Sequence, residues 1–72
     1  VEFTLYRAIA LSELDRHDEA MAAFERTLIE APNSRPDLID ADFYFGYGVA
    51  AEQAGRTVKA AELFKKSIEL DP

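Results

Sequence analysis

This chain reads as an all-α protein made of two stacked helix-turn-helix hairpins. The main reason is that it matches itself. A shift of 40 residues superimposes Phe3 on Phe43, Ala10 on Ala50, Arg16 on Arg56, Ala20 on Ala60, Phe24 on Phe64 and Pro32 on Pro72. Near-matches fill the gaps: Ile9 with Val49, Thr27 with Ser67, Leu28 with Ile68. The second reason is spacing, since apolar residues recur at three and four positions and nowhere require a strand. The third is size, because 72 residues allow one small domain at most and leave no room for several βαβ units.

Each copy divides into two helices. The first is expected over about residues 2–14, where Leu5, Ala8, Ile9 and Leu11 keep helical spacing. Asp15-Arg16-His17 form the turn, and Asp18 is placed to cap a second helix with Glu19 in its first turn. Ala20, Ala23, Phe24, Thr27 and Leu28 make that helix amphipathic. Pro32 is expected to stop it, because proline lacks an N–H and crowds the preceding turn. Copy one thus spans about residues 1–33 and copy two about 36–72.

In the second copy, Ser34 with Asp37 resembles a capping box and Pro36 suits a first turn. The third helix is therefore expected from Pro36 to Ala54, longer at its start than the first. Gly55 ends it, since glycine takes the left-handed conformation cheaply, and Asp15 is its counterpart. Thr57 is the expected cap of a fourth helix over about 58–70, with Ala60, Ala61, Leu63, Phe64 and Ile68 on its buried side. Pro72 closes this copy as Pro32 closes the first.

The composition excludes several classes of function. The net charge is −6 with scattered basic residues, which disfavours nucleic acid. Without cysteine there are no disulfides and no zinc–thiolate site. No apolar run approaches a membrane span, so no membrane partner is expected. The chain opens in mid-pattern without an initiator Met, so we read it as a piece of a longer protein. Its compartment stays open between the cytoplasm and an exported or periplasmic location.

Gly46-Tyr47-Gly48-Val49-Ala50-Ala51 spells a G-x-G-x-x-A string. A dinucleotide-binding turn needs a strand before it, a helix after it and a βαβ setting that this chain has no room for. The helical reading explains Gly48 by close approach of the paired helix. Gly46 stands opposite Tyr6 and has no such reason, although a mid-helix glycine costs roughly 1 kcal/mol against alanine; a local bend or room for a ligand chain are the two explanations. His17 reads as a turn residue, Asp37, Asp40 and Asp42 as helix-start acids, and the scattered glutamates as a solvated face. No catalytic, cofactor or metal residue is assigned, and no cofactor is expected.

These residues resemble the tetratricopeptide repeat, whose pattern is an aromatic, then Leu-Gly and Tyr on one helix, Ala-x-x-x-Phe on the next, and a closing Pro. Copy two carries Tyr44, Tyr47-Gly48, Ala51, Gly55, Ala60-x-x-x-Phe64, Ser67 and Pro72. Copy one carries Ala8, Ala20, Phe24 and Pro32, with Thr4, Arg7 and Leu11 departing from the pattern. The 40-residue offset exceeds the usual period of about 34, which places about six extra residues between Pro32 and Tyr44. A run ending AAELFKKSIELDP is similar to those of bacterial multi-repeat proteins.

The resemblance implies a short right-handed α-solenoid and a protein–protein interaction scaffold, not an enzyme. The first helices of such repeats line a concave groove for a peptide or helix. By register its residues here would be Glu2, Leu5, Ile9, Ser12 and Glu13, then Asp42, Phe45, Val49, Glu52 and Gln53. These suit an apolar partner with basic residues. The alternative is a structural segment of a longer array, with Leu5, Ile9, Phe45 and Val49 packed on neighbouring repeats. Raw faces at Val1, Phe3 and Tyr6, and at Leu63 and Leu70, are expected to drive self-association.

Overall fold

The computed structural model describes residues 2–71; Val1, Pro72 and the side chain of Glu2 lie outside the described residues. Four α-helices follow one another: α1 (Glu2–Glu13), α2 (His17–Ser34), α3 (Ala41–Gln53) and α4 (Thr57–Leu70). A 3-10 turn, Pro36–Leu38, separates α2 from α3. No strand occurs among the described residues. Three-residue links fold α1 against α2 and α3 against α4 as antiparallel hairpins, and α3 also packs on α2.

The two hairpin turns are one device built twice. Asp15 and Gly55 are the only described residues with positive φ, 63° and 82°. After each, the next N–H reaches back over the helix end: Arg16 to the Leu11 carbonyl at 2.9 Å, Arg56 to the Ala51 carbonyl at 2.8 Å. This left-handed closure satisfies helix-end carbonyls that would otherwise be orphaned. It also fixes the next element. Arg16 and Arg56 become the N-caps of α2 and α4, with no side-chain cap bond. Asp18 and Thr57 are thus not the caps expected from sequence. Asp18 sits in the first turn, where the helix dipole favours its charge, and Thr57 is simply the first helical residue.

Pro32 does not stop α2, which runs two residues further to Ser34. In a last turn the ring removes only one backbone donor. The turn is held by the Ser34 hydroxyl donating to the Glu30 carbonyl at 3.2 Å and by the Arg35 N–H donating to the Ala31 carbonyl at 2.7 Å. Ser34 therefore belongs to α2 and makes no capping box with Asp37, which is instead bound by the Arg35 guanidinium at 3.0 and 2.9 Å. The third helix starts at Ala41, not Pro36. Its cap is Asp40, whose Oδ1 accepts the Phe43 N–H at 2.9 Å. The residues added to the second copy thus form a 3-10 turn and a cap, and α3 is no longer than α1 by more than one residue.

Aromatic rings join the hairpins. Phe24 of α2 stacks on Tyr47 of α3 (centroids 5.5 Å apart, planes at 9°) and meets Phe43 edge-on at 5.7 Å. Ala8, Ala20, Ala50, Ala51 and Ala60 are buried around them, so the helices approach closely. Gly48 serves that approach: a Cβ there would lie 2.8 Å from the Phe64 ring of α4. Buried Thr27 returns its hydroxyl to the Ala23 carbonyl, while its counterpart Ser67 reaches across to the Ala41 carbonyl at 2.8 Å and ties α4 to the start of α3. On α4, Ala60 and Leu63 are buried and Phe64 is half-buried, but Ala61 and Ile68 face solvent. The outward pair is what a next helix would cover in a stacked array, so their apolar character does not make them core here. Leu63 likewise adds nothing to a raw face.

Candidate functional site

A hollow of about 180 Å³ opens between α1 and α3. Leu5 and Ile9 of α1 form one wall, and Phe43 and Gly46 of α3 the other, with Phe24 also lining it. Leu38 of the 3-10 turn also lines it, and Asp40 and Asp42 supply carboxylates. Asp40 is committed through Oδ1 to capping α3, while Asp42 is exposed in the first turn of the same helix. The lining contains these two acids, no cationic side chain and otherwise apolar atoms. Such a site can seat an apolar group and favour a positive charge beside it.

The groove positions suggested by register divide in this structure. Leu5, Ile9 and Asp42 meet in the hollow. Phe45 does not line it; its ring packs 5.7 Å from that of Phe64 and it remains 58% exposed. Ser12 and Val49 are half-buried, while Glu13, Glu52 and Gln53 are exposed, and none of these five lines the hollow. Leu38, Asp40 and Phe43 were not among the sequence candidates. The only signal for Leu38 was the added segment itself, whose local structure the pattern misassigned to a helix.

Most of the signature residues pack: Ala8, Ala20, Phe24, Tyr47, Gly48 and Ala60 are buried, and Tyr44 and Phe64 half-buried. Pro32 and Gly55 are exposed, because they shape a helix end and a turn at the surface, and Pro72 lies outside the described residues. The Lys59 ammonium lies 5.4 Å from the Tyr47 ring centroid, over one end of the aromatic stack. Arg7, opposite Tyr47 in the repeat, is exposed; with Thr4 and Leu11 it lines a broad furrow between α1 and α2. Both glycines of the G-x-G-x-x-A string lie inside α3 rather than at a strand-to-helix turn. His17 is the first residue of α2, with Nε2 3.6 Å from Asp15. Of the three acids after Pro36, Asp37 pairs with Arg35, whose hydrogen bond holds the exposed carboxyl below its ordinary range, and Asp40 caps α3. No three His, Cys, Asp or Glu side chains gather as a metal site among the described residues. No helix there is long and apolar enough to cross a membrane.

Two sequence models of the tetratricopeptide repeat match, one over residues 4–34 and the other over residues 41–72. The chain belongs to the tetratricopeptide repeat family. The matches leave out only a few residues at the start and residues 35–40, the stretch that forms the 3-10 turn and the Asp40 cap. Neither the curated proteins nor the solved structures contain a match to the chain. Tetratricopeptide repeats generally mediate protein–protein interactions and are typically non-catalytic.

Proposed function

We propose that this tetratricopeptide chain is a scaffold module that holds an apolar peptide or helix bearing basic residues along its α1–α3 face. The observation that carries this reading is the apolar hollow with two carboxylates in its lining, on a chain of net charge −6. Leu5, Ile9 and Asp42 make the first contacts. Ser12, Glu13, Phe45, Val49, Glu52 and Gln53 continue the surface toward the hairpin turns. Acidic peptide ends meet repulsion there, and basic ones are drawn in. The chain acts by binding and uses no nicotinamide or flavin nucleotide. Matched apolar peptides ending in acidic or basic residues, titrated at low salt, test this. The basic peptide binds several-fold more tightly; tighter binding of the acidic peptide overturns the reading.

A second reading rests on the hairpin ends. Phe3 is 85% exposed where its counterpart Phe43 is 3% exposed, and Ile68 and Phe45 stand open beside a half-buried Phe64 where Phe24 is covered by α3. The α2–α3 junction within the chain shows how such faces pack. A second copy offers the matching halves, its α1 face on the α4 face of the first, and this head-to-tail contact makes the chain self-associate. In this reading the chain is a structural segment of a stacked array.

A further inference from the structure

Gly46 is the residue that conformation and packing leave unexplained. It sits in mid-α3 without the positive φ that requires glycine at position 55. Crowding does not require it either. A Cβ at position 46 would lie 3.5 Å from Phe24 Cζ and 3.7 Å from Cε1, ordinary contact distances, whereas at Gly48 the same atom would collide with Phe64 at 2.8 Å. Alanine would therefore fit and would favour the helix. What alanine would take up is space: the missing side chain widens the hollow formed with Leu5, Ile9, Leu38 and Phe43, beside the buried Phe24 ring.

We propose that Gly46 is a binding residue, kept bare so that one branched aliphatic side chain of a partner peptide seats over it between Leu5, Ile9 and Leu38, with a lysine or arginine next to it on Asp42. The inference deepens the interaction reading above and rests on it. The volume suits a single side chain, since an apolar cavity of about 150 Å³ takes up a benzene-sized group. The hollow here is about 180 Å³ and open on one side. The charge of the neighbouring residue follows from the lining, whose two ionisable members are both carboxylates. Asp40 already accepts the Phe43 N–H, so the exposed Asp42 is the primary partner of the cation. Leu38, which also lines the site, comes from the added 3-10 turn.

The test titrates the 72-residue chain, labelled with 15N, with the capped hexapeptides GSLKSG, GSAKSG and GSLESG, followed by amide chemical shifts. GSLKSG moves the amides of Leu5, Leu38 and Gly46 first. GSAKSG and GSLESG bind about fivefold more weakly or less, through loss of apolar contact and of the ion pair respectively. Gly46→Ala melts at a higher temperature yet binds GSLKSG more weakly than the wild type, and Gly46→Leu, which fills the hollow with its own side chain, does not bind it. Asp42→Asn, a change at an exposed position, removes the preference for lysine over glutamate and serves as the check if a position-46 variant misfolds. Undiminished binding to Gly46→Ala, or an unchanged charge preference in Asp42→Asn, overturns the assignment. Shifts confined to Ser12, Val49 and Glu52 reject the Gly46 pocket and leave the wider face standing. No shift with any of the three peptides at tens of millimolar rejects both.

Discussion

Phe24 and Phe64 occupy the same position in their hairpins and meet different surroundings. Phe24 is 1% exposed, stacked on Tyr47 and edge-on to Phe43, both delivered by α3. Phe64 is half-buried, and its one aromatic neighbour is the partly exposed Phe45 of its own hairpin. The contrast recurs on the first helices: Phe43, Tyr47 and Ala50 are buried between the hairpins, and their counterparts Phe3, Arg7 and Ala10 face solvent. Equivalent residues form equivalent helices, but only a neighbouring hairpin turns an apolar face into core. Stability in such a protein therefore concentrates at the junction between repeats.

The largest effect that would break this comparison is a truncation of each ring. Phe24→Ala should cost about 3–5 kcal/mol, enough to unfold a chain this small, because it empties the centre of the aromatic cluster. Phe64→Ala should cost about 2 kcal/mol, because part of that ring already touches water. Chemical denaturation followed by circular dichroism measures both. Equal losses would mean that the outward face of α4 is as well packed as the junction.

A smaller effect sharpens the comparison at the contacts within a hairpin. Ala8 and Gly48 are equivalent and both buried, but a methyl group at position 48 would meet the Phe64 ring at 2.8 Å. Gly48→Ala should therefore cost about 1–2 kcal/mol, the ring having to move outward to make room. A neutral result in the same denaturation assay would show that Phe64, lacking a covering neighbour, turns aside freely.

An effect of the same size concerns the two turns. Nothing lies within 4 Å of a Cβ built on Gly55, so substitution there strains only the backbone at φ 82°. Gly55→Val should cost about 1–2 kcal/mol. Gly55→Asp, which reproduces the residue that the first hairpin uses at φ 63°, should cost less than half as much. Equal costs in thermal melts would mean that the turns are not interchangeable.

Much of this was legible in the sequence, and the misses share a cause. The repeat, the hairpins, the left-handed Asp15 and Gly55, and the close approach at Gly48 all follow from residues whose local preference and packing agree. The caps at Arg16 and Arg56 were missed because the backbone closure of the preceding turn sets them, overriding the better capping residues next door. Ser34-x-x-Asp37 imitates a helix start, but Ser34 was already inside the end of α2 and the working cap is Asp40. On α4, the apolar stripe does not distinguish Leu63, which faces α3, from Ile68, which faces solvent, since both suit a helix with two neighbours. The hollow was half legible. Leu5, Ile9 and Asp42 follow from the repeat register, whereas Leu38 depends on a turn with no counterpart in the first hairpin.

The claim on which the account rests is that this chain works by offering apolar surface that its own two hairpins leave uncovered. Sedimentation equilibrium from micromolar to millimolar concentration tests it most directly, on the wild-type chain and on Phe3→Glu and Ile68→Glu, two changes at positions 85% and 65% exposed that leave the core intact. The account predicts a mass that rises with concentration in the wild type, with a melting temperature that rises alongside it, and a monomer in either variant. A strict monomer throughout, with a sharp melt that does not move with concentration, would contradict it.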